Sequence, residues 1–348
     1  MQQVITTQEQ LNEFAATWVN EPIIGVDLEC ENNMHHYGVY ITIIQISTSK
    51  HSCIIDTLAL KDIKPVIDML QNPNIEKVFH DTDFDFRILF RQYGARPKNV
   101  FDTRLAATVL GKPEVGLGAL LTTYFNVQKQ SKFQKVDWTK RPLSAGMIEY
   151  AISDTKYLLS LAQKLKDELI ACKKLEWMQS ICRQVENSQM TYQDQVWHEV
   201  KGVGLLNDIE RGRAKVLYEA RDQLAKKVNR PVHYVFTNKL LVEFAKSPPD
   251  FKSLNGVHPA VRANAHLFTN ALATAVPMPV VKTERKRLSP AQRSLLDKLE
   301  AARLELAKKE NVPPHIIASK DQLLHIVVSK SVDHLLPWQQ ALLKPYLS

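Results

Sequence analysis

Alternating strand and helix signals run from residue 22 to residue 102, and this alternation constrains the fold more than any other feature. Apolar runs rich in β-branched residues and bounded by turn residues are typical of buried strands. The first three runs are joined by short connections, so we expect antiparallel pairing between them. The sequence therefore predicts an α/β domain with a mixed sheet flanked by helices. Strands are predicted at residues 23–28, 40–46, 53–55, 77–79 and 100–101, and helices at residues 66–70 and 83–93.

The chain changes character after about residue 127. Residues 127–142 have little periodicity and many Lys, Gln and Arg, which predicts a long loop near the functional face. Ser144 is a candidate N-cap for a helix that reaches about residue 170, and more helix is predicted to about residue 200. From Asp208 onward the patterns are helical, with almost no strand signal.

Two helical segments in the last third of the chain resemble each other. Residues 215–225 and 295–307 each precede a proline-containing turn and then an apolar helix, at a spacing of roughly 80 residues. A basic linker is predicted between them at residues 276–289, with a cluster at Lys282, Arg285, Lys286 and Arg287. We therefore predict four parts: an α/β domain at 1–172, a helical linker at 173–206, and small all-α domains at 207–281 and 282–348.

Composition narrows the class of protein. The 348 residues include 45 Lys and Arg against 37 Asp and Glu, a net charge of +8 that slightly favours a polyanionic partner. The sequence has no run of about 18 uncharged apolar residues and no secretory signal pattern, so we expect neither a membrane span nor export. Its four cysteines form no CxxC pair and imply no disulfide framework, which fits a reduced, cytoplasmic protein.

Carboxylates in predicted elements are the candidate functional residues. Asp27 and Glu29 lie two apart on a predicted strand, so their side chains share one face. Carboxylates that close repel each other unless a cation lies between them. Asp85 lies near the start of a helix, and Tyr150 and Asp154 share one face of a later helix. Each element alone also fits an ordinary surface acid or helix start, but the ordered combination is more specific than its parts.

In this order the motifs resemble the DEDD exonucleases of the ribonuclease D family, in the subgroup with Tyr in its third motif. The two C-terminal segments resemble HRDC domains, so the resemblance implies a ribonuclease H-like exonuclease domain followed by two HRDC-like domains. VDLE with IIDTLAL is closer to the exosome-associated relatives than to the usual bacterial form. The matching segments are VDLE (26–29), IIQIST (43–48), KVFHDTDFD (77–85), VFDTRLAATVLG (100–111), DWTKRPL (137–143) and YAISDTKYLL (150–159).

The resemblance also implies a set of ligands for two divalent cations. Asp27 would bridge both cations, Glu29 and Asp154 would complete the first site, and Asp85 would support the second, partly through water. An all-carboxylate set suits Mg²⁺ or Mn²⁺. Tyr150 would orient the attacking water, since an unperturbed Tyr is a poor base near pH 7.

The activity implied by the resemblance is 3′–5′ trimming of RNA, with release of nucleoside 5′-monophosphates and tRNA precursors as expected substrates. We expect a monomer that binds structured RNA with a 3′ tail. One rival hypothesis is a non-catalytic RNA-binding adaptor, which the intact carboxylates argue against. Another is a DNA exonuclease; the chain has no polymerase or helicase motifs, but sequence does not expose contacts to the 2′-hydroxyl.

Other residues suggest further roles. Trp138 could stack on a base or contact the RNA backbone with Lys135 and Arg141 nearby, or it could pin its loop to the fold. His80 is predicted to be structural and Asp102 a helix cap. A zinc site is an alternative suggested by five residues, namely Cys30, His35, His36, His51 and Cys53. Their spacing matches no common zinc finger, which argues against it.

Overall fold

The N-terminal half of the chain is built on one mixed sheet. A computed structural model describes residues 2–129, 132–188, 190–280 and 287–347. Within these residues the strands are β1 (Gln2–Ile5), β2 (Ile23–Asn32), β3 (Val39–Ser47), β4 (Ser52–Asp56), β5 (Glu76–Phe79) and β6 (Val100–Asp102). Their spatial order is β1-β4-β3-β2-β5-β6. β3 pairs antiparallel with β2 and β4, and the other neighbours pair in parallel. The predicted mixed sheet and its antiparallel pairings are confirmed.

Helices cover both faces of this sheet, which explains why β3 is buried along almost its whole length. On one face Ile44 and Ile46 pack with the apolar stripes of α1, α2 and α3. On the other face Ile43 packs against α6, while β5 and β6 pack against α4 and α7. The helices of this half are α1 (Gln8–Trp18), α2 (Lys64–Gln71), α3 (Thr82–Tyr93), α4 (Thr103–Val109), α5 (Leu117–Phe125), α6 (Ala145–Lys156), α7 (Leu158–Ala171) and α8 (Leu175–Asn187).

Two local predictions need correction. β1 and α1 were not predicted, and β1 is only four residues long and half glutamine, which gives no clear strand signal. The single helix predicted from Ser144 to about residue 170 is two helices, divided at Tyr157. This junction packs tightly on β2: a Cβ on Gly25 would lie 3.3 Å from the carbonyl oxygen of Thr155. The Ser144 cap itself is confirmed, since its side chain accepts a hydrogen bond from Met147 N.

The C-terminal part contains two similar helical units. The first helical repeat comprises α9 (Asp208–Lys227), α10 (Val232–Val235), α11 (Asn238–Lys246), α12 (Pro259–Ala263) and α13 (Ala265–Ala273). The second helical repeat comprises α14 (Pro290–Lys309), α15 (Pro314–Ile317), α16 (Lys320–Ser329) and α17 (Pro337–Leu343). Each begins with a long helix, and the chain then turns at an asparagine in the left-handed region, with φ of 47° at Asn229 and 49° at Asn311. The internal repeat is confirmed.

The two repeats pack in different ways. The first has an apolar core of its own, against which Tyr37 of the β2–β3 loop packs. The second shares one continuous core with α4, α7 and α8. The proposed division of the chain at residues 172, 206 and 281 therefore remains a prediction. Of the predicted basic linker, Lys282, Arg285 and Lys286 lie outside the described residues, and Arg287 is exposed.

Among the described residues, no helix is both long enough and apolar enough to cross a bilayer.

Candidate active site

Two elements bring three carboxylates together. β2 carries Asp27 and Glu29, and α6 carries Asp154. One carboxylate oxygen from each lies within 4.8 Å of the others. A β-bulge follows Glu29, where the β2–β3 register shifts and Thr42 Oγ1 donates a hydrogen bond to the Glu29 carbonyl. The predicted pairing of the two β2 carboxylates with the helix carboxylate is therefore present in the fold.

Asp85 completes the carboxylate cluster from a third element. It lies in the first turn of α3, is 9% exposed, and stands outside the 4.8 Å group. Asp102 fixes the start of α3, because its carboxylate accepts hydrogen bonds from the backbone amides of Asp81 and Thr82. The same carboxylate caps α4, as predicted. Asp27, Glu29, Asp85 and Asp154 together form the carboxylate cluster.

Burial disfavours the ionised form of every member of the cluster, and repulsion between carboxylates adds to it at Asp27, Glu29 and Asp85. Burial, with the charge of Asp154, raises the pKa of Asp27 to about 7. Burial and then the charge of Asp27 raise the pKa values of Glu29 and Asp85 well above their usual range. The pKa of Asp154 is also raised by burial, although Lys129 opposes the shift. The four carboxylates can all be ionised only beside compensating positive charge. Their oxygen atoms therefore suit hard divalent cations.

Lys129 is a site residue that the sequence analysis missed. Its Nζ lies 2.7 Å from Asp154 Oδ1, with only 14% of the side chain exposed. It also lies 5.1 Å from the ring centroid of Tyr150. The sequence offered little to single it out, because it is one of several lysines in a loop without periodicity. The structure gives it a defined place as the ammonium group beside the cluster.

Tyr150 is held in place by aromatic neighbours. Its ring is 6% exposed and lies 6.0 Å from the Trp138 ring and 5.9 Å from the Phe133 ring, between centroids. Burial, followed by the charges of Asp154 and Glu29, raises the pKa of its hydroxyl above the usual range. The hydroxyl therefore keeps its proton near pH 7, which favours an orienting role over that of a base.

The three residues predicted to bind substrate differ in position. Trp138 is 2% exposed and packs beside Tyr150, which favours the alternative that it pins the loop over the alternative that it contacts RNA. The Arg141 guanidinium is also engaged, with Nε 2.5 Å and Nη2 2.8 Å from the carboxylate oxygens of Asp56. It further donates to the carbonyl oxygens of Trp138 and Thr42. Lys135 is exposed, and its contact with RNA remains a prediction.

Replacement of Arg141 separates a structural role from RNA binding. We expect Arg141→Met to lower the free energy of unfolding by about 3 kcal/mol, because Asp56 is left buried without its partner. RNA affinity of the folded variant should be unchanged. Lys135→Met is the matched control, expected to weaken RNA binding without loss of stability. Urea unfolding and RNA titration measure the two effects, and an Arg141→Met protein with normal stability and weak RNA binding would restore the original assignment.

The remaining candidates are not members of the carboxylate cluster. His80 is a structural residue whose Nδ1 lies 2.9 Å from Thr103 Oγ1, and burial lowers its pKa to about 4. Burial raises the thiol pKa values of Cys30 and Cys53. In the described part of the chain, neither cysteine belongs to a group of side chains with metal-ligand spacing.

The raised pKa of Asp27 predicts how stability depends on pH without metal. The pKa of Asp27 is 3.8 when unperturbed and about 7 in the folded protein. Between these two pH values the native state holds a proton that the unfolded chain releases. The resulting stability is present below pH 4 and is lost as pH rises through 7, on the order of a few kcal/mol. In EDTA, thermal unfolding should therefore show a lower Tm at pH 8 than at pH 6, and Mn²⁺ should raise the Tm more at pH 8. If the Tm of Asp27→Asn in EDTA changed with pH as much as that of the parent, the raised pKa of Asp27 would not be the cause.

Comparison with known proteins agrees with the geometry. The model of the 3′-5′ exonuclease family matches residues 2–170, and that of the HRDC domain matches residues 210–266 and 292–335. Ribonuclease D of Desulfotalea psychrophila is 29% identical over 273 residues, covering 77% of this chain and 71% of that protein. Exosome complex exonuclease RRP6 of Saccharomyces cerevisiae is 29% identical over 295 residues, covering 78% of this chain but 40% of that protein.

A solved structure supports the whole architecture. The crystal structure of Escherichia coli RNase D, described as an exoribonuclease involved in structured RNA processing, has a TM-score of 0.74 at 22% identity. It covers 100% of this chain and 97% of the other, and at this identity it supports the fold. The α/β exonuclease domain followed by the helical HRDC region is confirmed. Together with the sequence relatives, these findings show that the chain belongs to the ribonuclease D family and is a 3′–5′ exoribonuclease.

Proposed function

We propose that the chain trims RNA 3′ ends by two-metal-ion hydrolysis at the carboxylate cluster. The observation that carries this proposal is the convergence of Asp27, Glu29 and Asp154 within 4.8 Å in a buried setting that opposes their ionisation. Asp85 stands beside Asp27 as the fourth ligand. When bound, two Mg²⁺ or Mn²⁺ ions supply the positive charge that activates a water and offsets charge on the leaving oxygen.

The protein side chains position this chemistry. Tyr150 keeps its proton and can donate a hydrogen bond to a water or phosphate oxygen beside Asp154. Trp138 and Phe133 hold its ring, so the hydroxyl is aimed before substrate binds. Lys129 is close enough to place a positive charge beside the phosphate. Attack of water on the terminal phosphodiester releases a nucleoside 5′-monophosphate and leaves a new 3′-hydroxyl.

The proposed substrate is structured RNA with a single-stranded 3′ tail, tRNA precursors among them. Support comes from the ribonuclease D relatives and from the net charge of +8, which favours phosphate binding. The exposed Lys135 lies in the loop that leads from Lys129 to Trp138, where it could follow the RNA backbone. We expect the chain to act as a monomer in the cytoplasm.

A labelled RNA tests the proposal directly. A 5′-labelled RNA with a single-stranded 3′ tail is incubated with Mg²⁺ or Mn²⁺, and in parallel with EDTA. We expect a ladder that shortens from the 3′ end, loss of the ladder in EDTA, and nucleoside 5′-monophosphates as products. A DNA strand of the same sequence tests sugar preference. Intact RNA in every metal, with RNA binding retained, would support the adaptor hypothesis instead.

A further inference from the structure

A second group of potential metal ligands lies outside the carboxylate cluster. Glu31 near the end of β2, His35 in the β2–β3 loop, and Asp137 in the loop before α6 each offer one ligand atom. These three atoms lie within 4.8 Å of one another, and the group shares no residue with the carboxylate cluster. It also differs in chemistry, because it contains an imidazole nitrogen.

Glu31 is held so that one carboxylate oxygen faces the group. The residue is 2% exposed. Its Oε1 accepts hydrogen bonds from the backbone amides of Met34 at 2.6 Å and His35 at 3.1 Å, which turn the chain back toward the strand. Its Oε2 lies 3.7 Å from His35 Nδ1, longer than a hydrogen bond. Within the described ranges both hydrogen bonds to this carboxylate reach Oε1, so Oε2 is the oxygen that can bind a cation.

Asp137 is oriented in the same way from the opposite loop. Its Oδ1 accepts hydrogen bonds from the Thr139 amide at 3.0 Å and the Thr139 hydroxyl at 2.5 Å. Its Oδ2 lies 3.2 Å from His36 Nε2. A ligand carboxylate held by neighbouring donors is a common feature of protein metal sites, because those contacts fix the ligand orientation.

We propose that Glu31, His35 and Asp137 bind one transition-metal ion of the zinc class. One imidazole and two carboxylates match the ligands that zinc takes in proteins, leaving a further position for water. The imidazole distinguishes this site from the all-carboxylate cluster, which suits Mg²⁺ or Mn²⁺. Modest side-chain rotation brings the three ligand atoms to bonding distance, since His35 is 33% exposed and lies on a loop.

The site lies where the exonuclease domain meets the first helical repeat. His36 Nδ1 lies 3.2 Å from Asn229 Nδ2, and the backbone amide of Tyr37 donates to Asn229 Oδ1 at 3.2 Å. The Tyr37 hydroxyl donates to Asp222 Oδ2 at 2.8 Å. A metal ion bound to His35 therefore fixes the loop that carries both contacts, and it strengthens the docking of the first helical repeat.

Zinc titration tests the site in a chain whose carboxylate cluster is disabled. The full chain carrying Asp27→Asn, Asp154→Asn and Cys172→Ser is titrated with Zn²⁺ by calorimetry, so the cluster has lost two of its four carboxylates and the exposed thiol is removed. We expect one Zn²⁺ per chain by native mass spectrometry and a rise in Tm. Adding His35→Gln or Asp137→Asn should weaken binding by on the order of 10-fold or more.

The control variant is His51→Gln, a histidine of the same domain outside the group. It should bind Zn²⁺ like the parent, and circular dichroism in EDTA checks that each variant is folded. The proposal is overturned if the parent binds no Zn²⁺, or if His35→Gln and Asp137→Asn both bind it as the parent does. Because the titration uses a chain whose cluster is disabled and measures metal binding, either result is independent of the proposed hydrolysis.

Discussion

Asp27→Asn is expected to lower RNA hydrolysis by about 1,000-fold or more while raising the Tm of the metal-free protein. Asp27 stands between Glu29, Asp85 and Asp154, so its loss removes the carboxylate that all the others face. The amide has nearly the same shape but no charge, and it therefore relieves the repulsion that raises the pKa values of its neighbours. Activity is measured on the labelled RNA with Mn²⁺, and stability by thermal unfolding in EDTA at pH 8.

Two further variants define this result. Asp154→Ala should also abolish hydrolysis with the fold intact, but without a gain in stability, because it leaves Lys129 without its partner. Asp83→Asn is the matched control from the Asp85 motif, since its side chain is 78% exposed and pairs with Arg87. Its activity should stay near that of the parent. Substantial hydrolysis by Asp27→Asn or Asp154→Ala would show that the site has been assigned to the wrong residues.

Gly111→Ala is expected to lower the free energy of unfolding by about 3 kcal/mol or more. Gly111 follows α4 with a φ of 70°, and a Cβ there would lie 2.1 Å from the carbonyl oxygen of Asn311. Asn311 forms the turn after α14, so this contact joins the exonuclease domain to the second helical repeat. The backbone of one side must move to admit a methyl group, and the shared apolar core opens with it.

Gly94→Ala is the control that separates backbone strain from the lost contact. Gly94 has a similar φ of 65°, but nothing lies within 4 Å of the position of its Cβ. Its substitution should lower the free energy of unfolding by only about 1 kcal/mol, because alanine is disfavoured in the left-handed conformation. Urea unfolding of both variants is monitored by tryptophan fluorescence. The stacked rings of Trp177 and Trp338 lie between the exonuclease domain and the second helical repeat, so their signal reports on this interface. Equal losses for the two variants would show that the contact with Asn311 contributes nothing.

Some features of this protein follow from periodicity and were available in the sequence. The β-branched runs fix the strands, and their short connections fix the antiparallel pairing of β2, β3 and β4. Residues that share one element can be placed on one face without knowledge of the fold, as with Asp27 and Glu29 or Tyr150 and Asp154. The asparagine turns of the two helical repeats can also be predicted from the sequence, because each depends only on the local backbone conformation.

Other features depend on which distant segments meet, and only the tertiary structure decided them. Lys129, Trp138 and Arg141 belong to a loop without periodicity, so sequence could not distinguish a cation beside Asp154 from one paired with Asp56. The ring of Trp138 is buried because α6 packs over it, which no local pattern reveals. The shared core of the second helical repeat has the same origin. An amphipathic helix shows that it has an apolar face, but its partner is chosen by packing across the whole chain.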